Sequence, residues 1–475
     1  MKNEEILDLT FKYIMQIADK YTYNLQCIAI KNFFSDPQNE PLIKEYEVEY
    51  EEFCNNFESF CTRDFVYKKD YYSTREMYLI SPSHYLYYTY NVFKYFYNNQ
   101  KSLEFSRSNI KVFYSGKLVF SDNDIDKNSN FTSSYTEFQK EKEKFSNGRA
   151  LIIDIQDFFK NISTKTLINK LEQSAVNNCK SIIKNISDFF KKNNFRTLPQ
   201  FHYSIASSVL SQFYLRDFTE EMNNILDTEN CKALRFVDDM IISLPKYKKR
   251  KKMNEVLNEL TYYLWKDKLN LNSSKTKFLD QKAFKKLVEL SEESVFEIYS
   301  PNYLIDKIIK DKVKWLLNNE GEKLIEFINK LRKCYIFYNV DLALYHKYIN
   351  DYIAIDGDHA TKVINNLIYG KQWKLLEENT LLELIVKNSY VFFNPMQFTT
   401  FFLMIINHLK TKNYDVDKNL EEFINLLNDK DKLTFREGII TIQYFLQMKK
   451  TDINLIKKMK DINNDYVDFL EKFYS

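Results

Sequence analysis

The chain has 475 residues, too many for one ordinary core, and its 44% hydrophobic and 28% charged residues are typical of a globular protein of two or three domains. A net charge of +3 gives no overall polyanion signal, and the six Gly show no Walker or dinucleotide pattern, which argues against a Gly-rich phosphate loop. The six Cys and five His lack the spacing of zinc ligands, so a catalytic metal would have to bind carboxylates, which favours Mg²⁺ or Mn²⁺.

The chain shows no signal for secretion or membrane insertion. Its N-terminus lacks a secretory apolar stretch, and the most apolar later run, Phe401 to Ile406, is too short to cross a bilayer. Cysteines without a disulfide framework fit a reducing compartment. We therefore expect a cytoplasmic protein with no membrane partner.

Residues 1–149 begin with helical periodicity over about the first 70 positions, followed by an aromatic-rich mixed stretch and a polar loop with a short helix. In residues 150–290, the apolar run Ala150 to Ile153 predicts a buried strand, and Ser163 is a plausible N-cap of the helix after it. A strand–turn–strand is predicted at residues 233–244, between one long amphipathic helix before it and another after it. Residues 300–475 carry helical patterns alone, which fit either stacked helical hairpins or a plain bundle.

Two adjacent carboxylates, Asp238 and Asp239, stand between the two apolar runs of the predicted hairpin. A purely structural hairpin would favour Asn-Gly or Asp-Gly there, and neighbouring carboxylates repel each other unless a cation offsets them. Asp154 ends the earlier strand, whereas Asp157 is better assigned to the turn after it. Each Asp alone could be an ordinary turn or capping residue. Three together suffice for two divalent ions ~3.5–4 Å apart, the arrangement of two-metal phosphoryl transfer.

The segment from Lys246 to Lys286 holds 13 Lys and Arg against 4 Asp and Glu. A basic segment in a near-neutral protein is typical of a nucleic-acid channel, and a solvated helix face is the alternative. We predict that the run directly after the hairpin contacts nucleic-acid phosphates, through Lys248, Lys249, Arg250 and Lys252.

Four ordered blocks, spread over about 130 residues, resemble the palm of a reverse transcriptase. LIIDIQDFFKNIS resembles the family's D-x-x-x-F-[YF] block, and TLPQFHYSIASSVLSQFYLRDF resembles its L-P-Q-G…S…L-x-x-x-Y-L block. Phe236 to Asp239 match the [YF]-x-D-D block, and LNLNSSKTKFL resembles the block after the hairpin. The other matched positions are Leu198, Pro199, Gln200, Ser208, Leu210, Tyr214, Asn272, Lys275 and Thr276.

The resemblance implies a role for several residues. Asp154, Asp238 and Asp239 would be catalytic metal ligands for Mg²⁺ or Mn²⁺, and Lys275 would stabilise or protonate the leaving pyrophosphate. Phe159 would be the aromatic steric gate that favours deoxynucleoside triphosphates. An upstream stretch, STREMYLISPSHYLYYTYNVF, resembles a fingers segment. The implied nucleotide-binding residues are Arg75, Phe159, Gln200 and Ser208.

The positions that depart from the family pattern indicate one subgroup of the family. Phe201 stands where the family usually has Gly, which puts ordinary templated elongation in doubt. No thumb with a Gly-rich signature follows, and helical patterns take its place. These features are similar to the bacterial abortive-infection and defence-associated reverse transcriptases of the AbiK and AbiA type. That subgroup implies untemplated DNA synthesis primed by a protein tyrosine, with DNA attached covalently, and a homo-oligomer, trimer or hexamer. Candidate primers include Tyr46, Tyr50, Tyr67, Tyr71 and Tyr72.

The expected fold is α+β: N-terminal helices and fingers in residues 1–149, a palm with an antiparallel sheet in 150–290, and an all-α, HEAT-like repeat domain in 300–475. The expected function is a phage-defence DNA polymerase. Two alternatives stay open. One is a defence reverse transcriptase that copies a bound non-coding RNA. The other is a degenerate palm that serves as a nucleic-acid-binding scaffold, against which the three intact carboxylates argue.

Overall fold

The computed structural model divides the chain into two units, residues 1–66 with 76–292 and residues 67–75 with 293–475. The prediction of three domains with boundaries at 149/150 and 290/300 stays a prediction. The structure describes the following residues: 1–21, 24–67, 74–99, 104–114, 120–121, 124–125, 131–176, 178–244, 250–285, 287–288, 335–336, 339–340, 372–386, 395–428, 438, 441–442, 445 and 452–474.

The N-terminal part of the first unit is a helical layer built around one buried helix. Asn24 caps the second helix by accepting from the amide of Cys27, and Pro82 opens the fifth helix at a position where its missing N–H costs nothing. That fifth helix buries most of its residues, on all of its faces. The elements are α1 (Asn3–Lys20), α2 (Leu25–Phe34), α3 (Ile43–Tyr46), α4 (Tyr50–Asn56), β1 (Cys61–Tyr67), β2 (Thr74–Ile80) and α5 (Pro82–Asn98).

The rest of the first unit alternates strands and helices around one larger sheet. Its elements are β3 (Ile110–Phe113), β4 (Phe120–Ser121), β5 (Asp124–Ile125), α6 (Phe131–Phe145), β6 (Arg149–Ile153), α7 (Phe158–Asn161), α8 (Thr164–Ser174), α9 (Lys180–Lys192), α10 (Ile205–Tyr214), α11 (Arg216–Thr228), β7 (Lys232–Phe236), β8 (Asp239–Leu244), α12 (Arg250–Lys266) and β9 (Lys277–Leu279).

The larger sheet has five strands in the order β3-β7-β8-β6-β9. The pairs β7/β8, β8/β6 and β6/β9 are antiparallel, as predicted, but β3 joins β7 in parallel, so the sheet is mixed. A parallel neighbour needs a long connection, and more than 100 residues separate β3 from β7. The sequence signals for β6 and for the β7–β8 hairpin are confirmed, because both appear within one residue of the predicted bounds.

Two helices differ from the sequence prediction. The long amphipathic helix before the hairpin is divided at Leu215 into α10 and α11, and α10 is buried at every position. The short helix expected after the polar loop is a 15-residue helix, α6. The predicted cap is confirmed, since the Ser163 side chain accepts from the amide of Thr166 at the start of α8.

The described residues of the second unit are mostly helical. They form α13 (Glu378–Val386), α14 (Pro395–Thr411), α15 (Asp417–Asn428) and α16 (Ile453–Tyr474). The all-α prediction is wrong in one detail, because β10 (Tyr335–Ile336) and β11 (Asn339–Val340) pair antiparallel. Aromatic and β-branched residues supply most of this pair, and such residues favour strands. Across the described part of the chain, no helix combines the length and apolar character needed to cross a membrane.

Candidate active site

Sheet register brings two of the predicted aspartates together. Ile153, the last residue of β6, pairs with Met240 of β8, so the next position outward on each strand is an aspartate. These are Asp154 and Asp239, and their carboxyl groups lie close enough for the charge of Asp154 to raise the pKa of Asp239. The two residues are 85 positions apart in sequence, and antiparallel pairing of buried strands makes them neighbours.

The backbone around Asp154 is held on its other side by the chain before β9. The amide of Asn272 donates to the Asp154 carbonyl at 2.8 Å, and Ile155 forms an isolated antiparallel bridge with Leu271. Asp154 is 4% exposed. Lys275 reaches back from the same turn, and its Nζ donates to Asp154 Oδ1 at 3.0 Å. The fourth sequence block therefore contacts the first.

The charged groups of this cluster shift one another's pKa values. Enclosure by protein atoms, then the charges of Asp238 and Asp154, raise the pKa of the Asp239 carboxyl, while Lys275 opposes the rise. Asp239 keeps a face exposed to solvent, so water offsets part of the desolvation, but the repulsion between close carboxylates fixes the direction. Partial burial lowers the pKa of Lys275, but the hydrogen bond and charge of Asp154 outweigh it, so the net change is upward.

The tip of the hairpin is a strained two-residue turn. Phe236 pairs with Asp239, so Val237 and Asp238 are the loop residues. Val237 has a φ of 56°, in the left-handed region that a β-branched residue rarely adopts. Asp238 has no positive φ, so the signs match a type II′ turn, whose first loop position normally needs Gly. The conformation costs on the order of 1–3 kcal/mol and must be held by its surroundings.

Behind this turn lies a buried arginine that the sequence analysis missed. Arg235 of β7 is 0% exposed, and its guanidinium donates to Gln212, Thr219 and the Val237 carbonyl. Burial lowers the pKa of Arg235 to about 9, and the charge of Asp238 acts against that shift, so the group is charged at neutral pH. The available signal was a charged residue inside an otherwise apolar strand, ALRFV.

The carboxylate oxygens are the kind of donor that a hard divalent cation prefers. The third carboxylate, that of Asp238, does not join the other two in one group of metal ligands. Among the described residues, no three His, Cys, Asp or Glu side chains form a group ready to hold a metal ion. The structure brings Asp154 and Asp239 into contact and leaves Asp238 next to them in the turn. All the donors are oxygens, which Mg²⁺ and Mn²⁺ prefer, and a divalent cation would offset the repulsion that raises the pKa of Asp239.

The predicted nucleotide-binding residues lie in different surroundings. Phe159 is half-buried against Phe158, and Gln200 is half-buried with its carbonyl accepting from the amide of Tyr78. Ser208 is 9% exposed, and its hydroxyl donates to the Ser204 carbonyl at 3.2 Å. Arg75 is an exposed residue of β2 and belongs to the second unit. Their roles as nucleotide contacts stay predictions.

Tyr114 was not singled out from the sequence, although it stands close to this region. It follows β3 with a φ of 53° and stacks on Phe236 with ring centroids 5.9 Å apart. The Ser208 hydroxyl lies 3.5 Å from the Tyr114 hydroxyl. Nothing in the local sequence marks Tyr114, because its place depends on the parallel pairing of β3 with β7.

The predicted nucleic-acid contacts are covered only in part. Lys248 and Lys249 lie outside the described residues, and Arg250 begins α12. Lys252 is engaged within the protein, because its Nζ lies 3.1 Å from Glu229 and 3.2 Å from Glu255. These two ion pairs compete with any phosphate for the same ammonium group.

Phe201, the departure from the family's Gly, is a core residue. It is 3% exposed, and its ring lies among those of Tyr78, Tyr85, Tyr88, Phe189 and Phe195. Its backbone forms a parallel bridge with Tyr78 of β2. The ring is therefore turned into the aromatic core and does not stand at the protein surface.

Comparison with known proteins gives a domain-level identification. No relative matches among curated proteins. Residues 118–316 match the family model described as reverse transcriptase (RNA-dependent DNA polymerase). The matched range contains Asp154, the β7–β8 hairpin and Lys275. The chain therefore contains a reverse transcriptase domain, and with it the core of a nucleic-acid polymerase of the nucleotidyltransferase class.

Proposed function

We propose that the protein is a DNA polymerase that joins deoxynucleotides by two-metal nucleotidyl transfer at Asp154, Asp238 and Asp239. The observation that carries this proposal is the register of β6 on β8, which sets Asp154 beside Asp239 with Lys275 on Asp154. In this view the five-stranded sheet is a palm, and the helices of the second unit are a HEAT-like repeat domain.

Each residue of the site would have its own role in nucleotidyl transfer. A primer hydroxyl attacks the α-phosphorus of a deoxynucleoside triphosphate, and pyrophosphate leaves. Two divalent ions, Mg²⁺ or Mn²⁺, would supply Lewis acidity to the attacking and leaving oxygens when bound by the three carboxylates. The Lys275 side chain is 64% exposed, so its ammonium group has room to turn from Asp154 to the leaving pyrophosphate and give it a proton. Phe159 would crowd a ribose 2′-hydroxyl.

The test is incorporation of labelled deoxynucleotides by the purified full chain in Mg²⁺ or Mn²⁺. We expect incorporation by the native protein and its loss in Asp239→Asn, which keeps the size of the side chain and removes its charge. Asp8→Asn, the same change at an exposed aspartate of α1, is the matched control. Equal incorporation by the native protein and Asp239→Asn would refute the assignment.

We further propose that the polymerase acts in phage defence, builds DNA without a template, and starts it from one of its own tyrosines. The support is the subgroup resemblance in sequence. The structure narrows the candidate primers, since Tyr46 is 2% exposed and Tyr50 is 1% exposed, both in the core. Tyr67 ends β1, while Tyr71 and Tyr72 lie outside the described residues. Mass analysis of the protein after incubation with deoxynucleotides would reveal covalent DNA and its attachment site.

One observation favours the alternative of templated synthesis. The sequence objection to a template was the Phe at position 201, and that ring is buried in the aromatic core. A defence reverse transcriptase that copies a bound non-coding RNA is therefore the second candidate. Sequencing of nucleic acid that copurifies with the protein separates the two, because a discrete RNA species supports templating and its absence supports untemplated synthesis.

Two further properties belong to the same proposal. The run at Lys248, Lys249 and Arg250 would hold nucleic-acid phosphates, so binding of single-stranded DNA should weaken steeply as salt rises. The protein would assemble as a homo-oligomer, a trimer or hexamer, in the cytoplasm. Light scattering of the purified protein measures the oligomer directly.

A further inference from the structure

Arg235 is a fully buried cation whose hydrogen-bond partners are all neutral. Its Nη1 donates to Gln212 Oε1 at 2.5 Å and to the Val237 carbonyl at 3.2 Å, and its Nη2 donates to Thr219 Oγ1 at 3.1 Å. Within the residues that the structure describes, Nε of Arg235 and Nε2 of Gln212 have no hydrogen-bond partner. The guanidinium thus links α10, α11 and the hairpin turn with one group left unsatisfied.

Burying such a residue lowers the stability of the fold. A buried charge that lacks a paired carboxylate carries a desolvation penalty of several kcal/mol, and an apolar side chain of similar volume would often be more stable. Most of β7 points apolar side chains into the core, so nothing in the strand pattern requires a cation at this position. Packing alone therefore does not explain an arginine at this position.

The role lies in the turn that Arg235 contacts. Val237 is held at a φ of 56°, and its carbonyl accepts from Arg235. Without that donor, the backbone of Val237 would lower its free energy by leaving the left-handed region. The turn would then open, and the two carboxylates that follow Val237, those of Asp238 and Asp239, would change direction. The charge of Arg235 also attracts Asp238 and so limits the directions that this side chain takes.

We propose that Arg235 is a positioning residue, which clamps the Val237 carbonyl and so aims Asp238 and Asp239 at the ion-binding position beside Asp154. The inference rests on the proposed function, since it assumes that these aspartates bind divalent ions. Arg235 contacts neither substrate nor ion and acts through the turn. Outer partners of metal ligands commonly change metal affinity by about 10- to 100-fold when they are replaced.

The test measures Mn²⁺ binding by electron paramagnetic resonance, which needs no catalysis, alongside deoxynucleotide incorporation. Arg235→Met removes the charge and the clamp at similar length. Arg235→Lys keeps a charge but lacks the planar fork whose Nη1 binds both Gln212 and the Val237 carbonyl. Thr219→Val is the matched control, because it leaves a buried donor of Arg235 unsatisfied and destabilises the fold but keeps the bond to the turn.

We expect both Arg235 variants to bind Mn²⁺ about 10-fold more weakly and to lose a similar factor in incorporation. Thr219→Val should bind Mn²⁺ as the native protein does, despite a lower melting temperature. Tighter Mn²⁺ binding by Arg235→Met would overturn the proposal, because it would show that Arg235 acts only as a nearby repelling charge. Unchanged binding in both Arg235 variants, or equal weakening in Thr219→Val, would overturn it too.

A rescue variant separates positioning from loss of folding. Gly adopts positive φ without strain, so Val237→Gly in the Arg235→Met background should restore part of the Mn²⁺ affinity. Effects of the two changes that simply add would contradict a link through the turn. Asp239→Asn gives the baseline. If the native protein binds no more Mn²⁺ than Asp239→Asn, the proposed function fails. If it binds Mn²⁺ but Arg235 has no effect, the positioning role alone fails.

Discussion

A buried histidine offers a stability prediction whose size follows from the structure. His84 of α5 is 0% exposed. Its Nε2 lies 2.9 Å from the Phe57 carbonyl, which can only accept, so Nε2 carries the proton and Nδ1 accepts from the Tyr50 hydroxyl at 2.8 Å. Asn193 donates to the same hydroxyl. The network therefore favours a neutral imidazole, because a proton on Nδ1 would force the Tyr50 hydroxyl to give up its own donation to the ring.

The pH dependence has a definite sign. Burial lowers the pKa of His84 from 6.5 to about 4, with the Phe57 hydrogen bond acting in the opposite direction. Because the unfolded chain binds the proton first, stability from the neutral ring is complete above pH 6.5 and is lost as pH falls toward 4. At 1.36 kcal/mol per pKa unit, the free energy of unfolding falls by about 2 kcal/mol between pH 8 and pH 5 from this group alone.

Urea unfolding of the native protein and of His84→Gln, at pH 8 and pH 5 in metal-free buffer, measures this contribution. Glutamine can donate to Phe57 and accept from Tyr50 without titrating. We expect His84→Gln to be the less stable protein at pH 8 and the gap between the two to narrow by about 2 kcal/mol at pH 5. Other groups titrate equally in both proteins and cancel. A gap that stays constant over this range would refute the reasoning.

Three further predictions concern the site and its support. Lys275→Met should lower deoxynucleotide incorporation by about 100-fold or more in single-turnover assays, because the ammonium on Asp154 is the proposed proton donor; Lys275→Arg keeps the charge but cannot release a proton, so a rate close to the native one in that variant would count against proton donation. Phe159→Ala should raise the ratio of ribonucleotide to deoxynucleotide use by about 10- to 200-fold, measured by competition, and an unchanged ratio would remove Phe159 as the gate. Phe201→Ala should cost about 3–5 kcal/mol in urea unfolding, with Phe201→Leu costing less, since the ring fills an aromatic core; a loss below about 1 kcal/mol would mean that the ring is not packed as described.

The strands that carry the candidate site were readable from the sequence because their signals are local. An apolar run that ends in Asp predicted β6, and two apolar runs around Asp-Asp predicted the β7–β8 hairpin. The register between β6 and β8 was not readable, since it depends on pairing between segments about 80 residues apart. Only that register turns a strand-end aspartate into a neighbour of the hairpin.

The structural features that the sequence did not predict also have physical causes. The amphipathic pattern runs through Leu215 without a Gly or Pro, so the break between α10 and α11 has no local signal. The parallel addition of β3 depends on a long-range contact, and so does the placement of Tyr114 beside Phe236. Phe201 was interpreted through a family position, whereas its side chain is used by the aromatic core.

Unfavourable features coincide at one point of the sheet, and this coincidence argues against a scaffold. Within Arg235 to Asp239 lie a buried cation that, among the described residues, has only neutral hydrogen-bond partners, a left-handed valine and two adjacent carboxylates, one of them beside Asp154. Each feature costs stability, and an apolar residue with an Asn-Gly turn would avoid all of them. Local rules are commonly broken where a site requires it. A protein that only bound nucleic acid through its surface would gain nothing from this hairpin, whereas an enzyme that concentrates negative charge for divalent ions needs it.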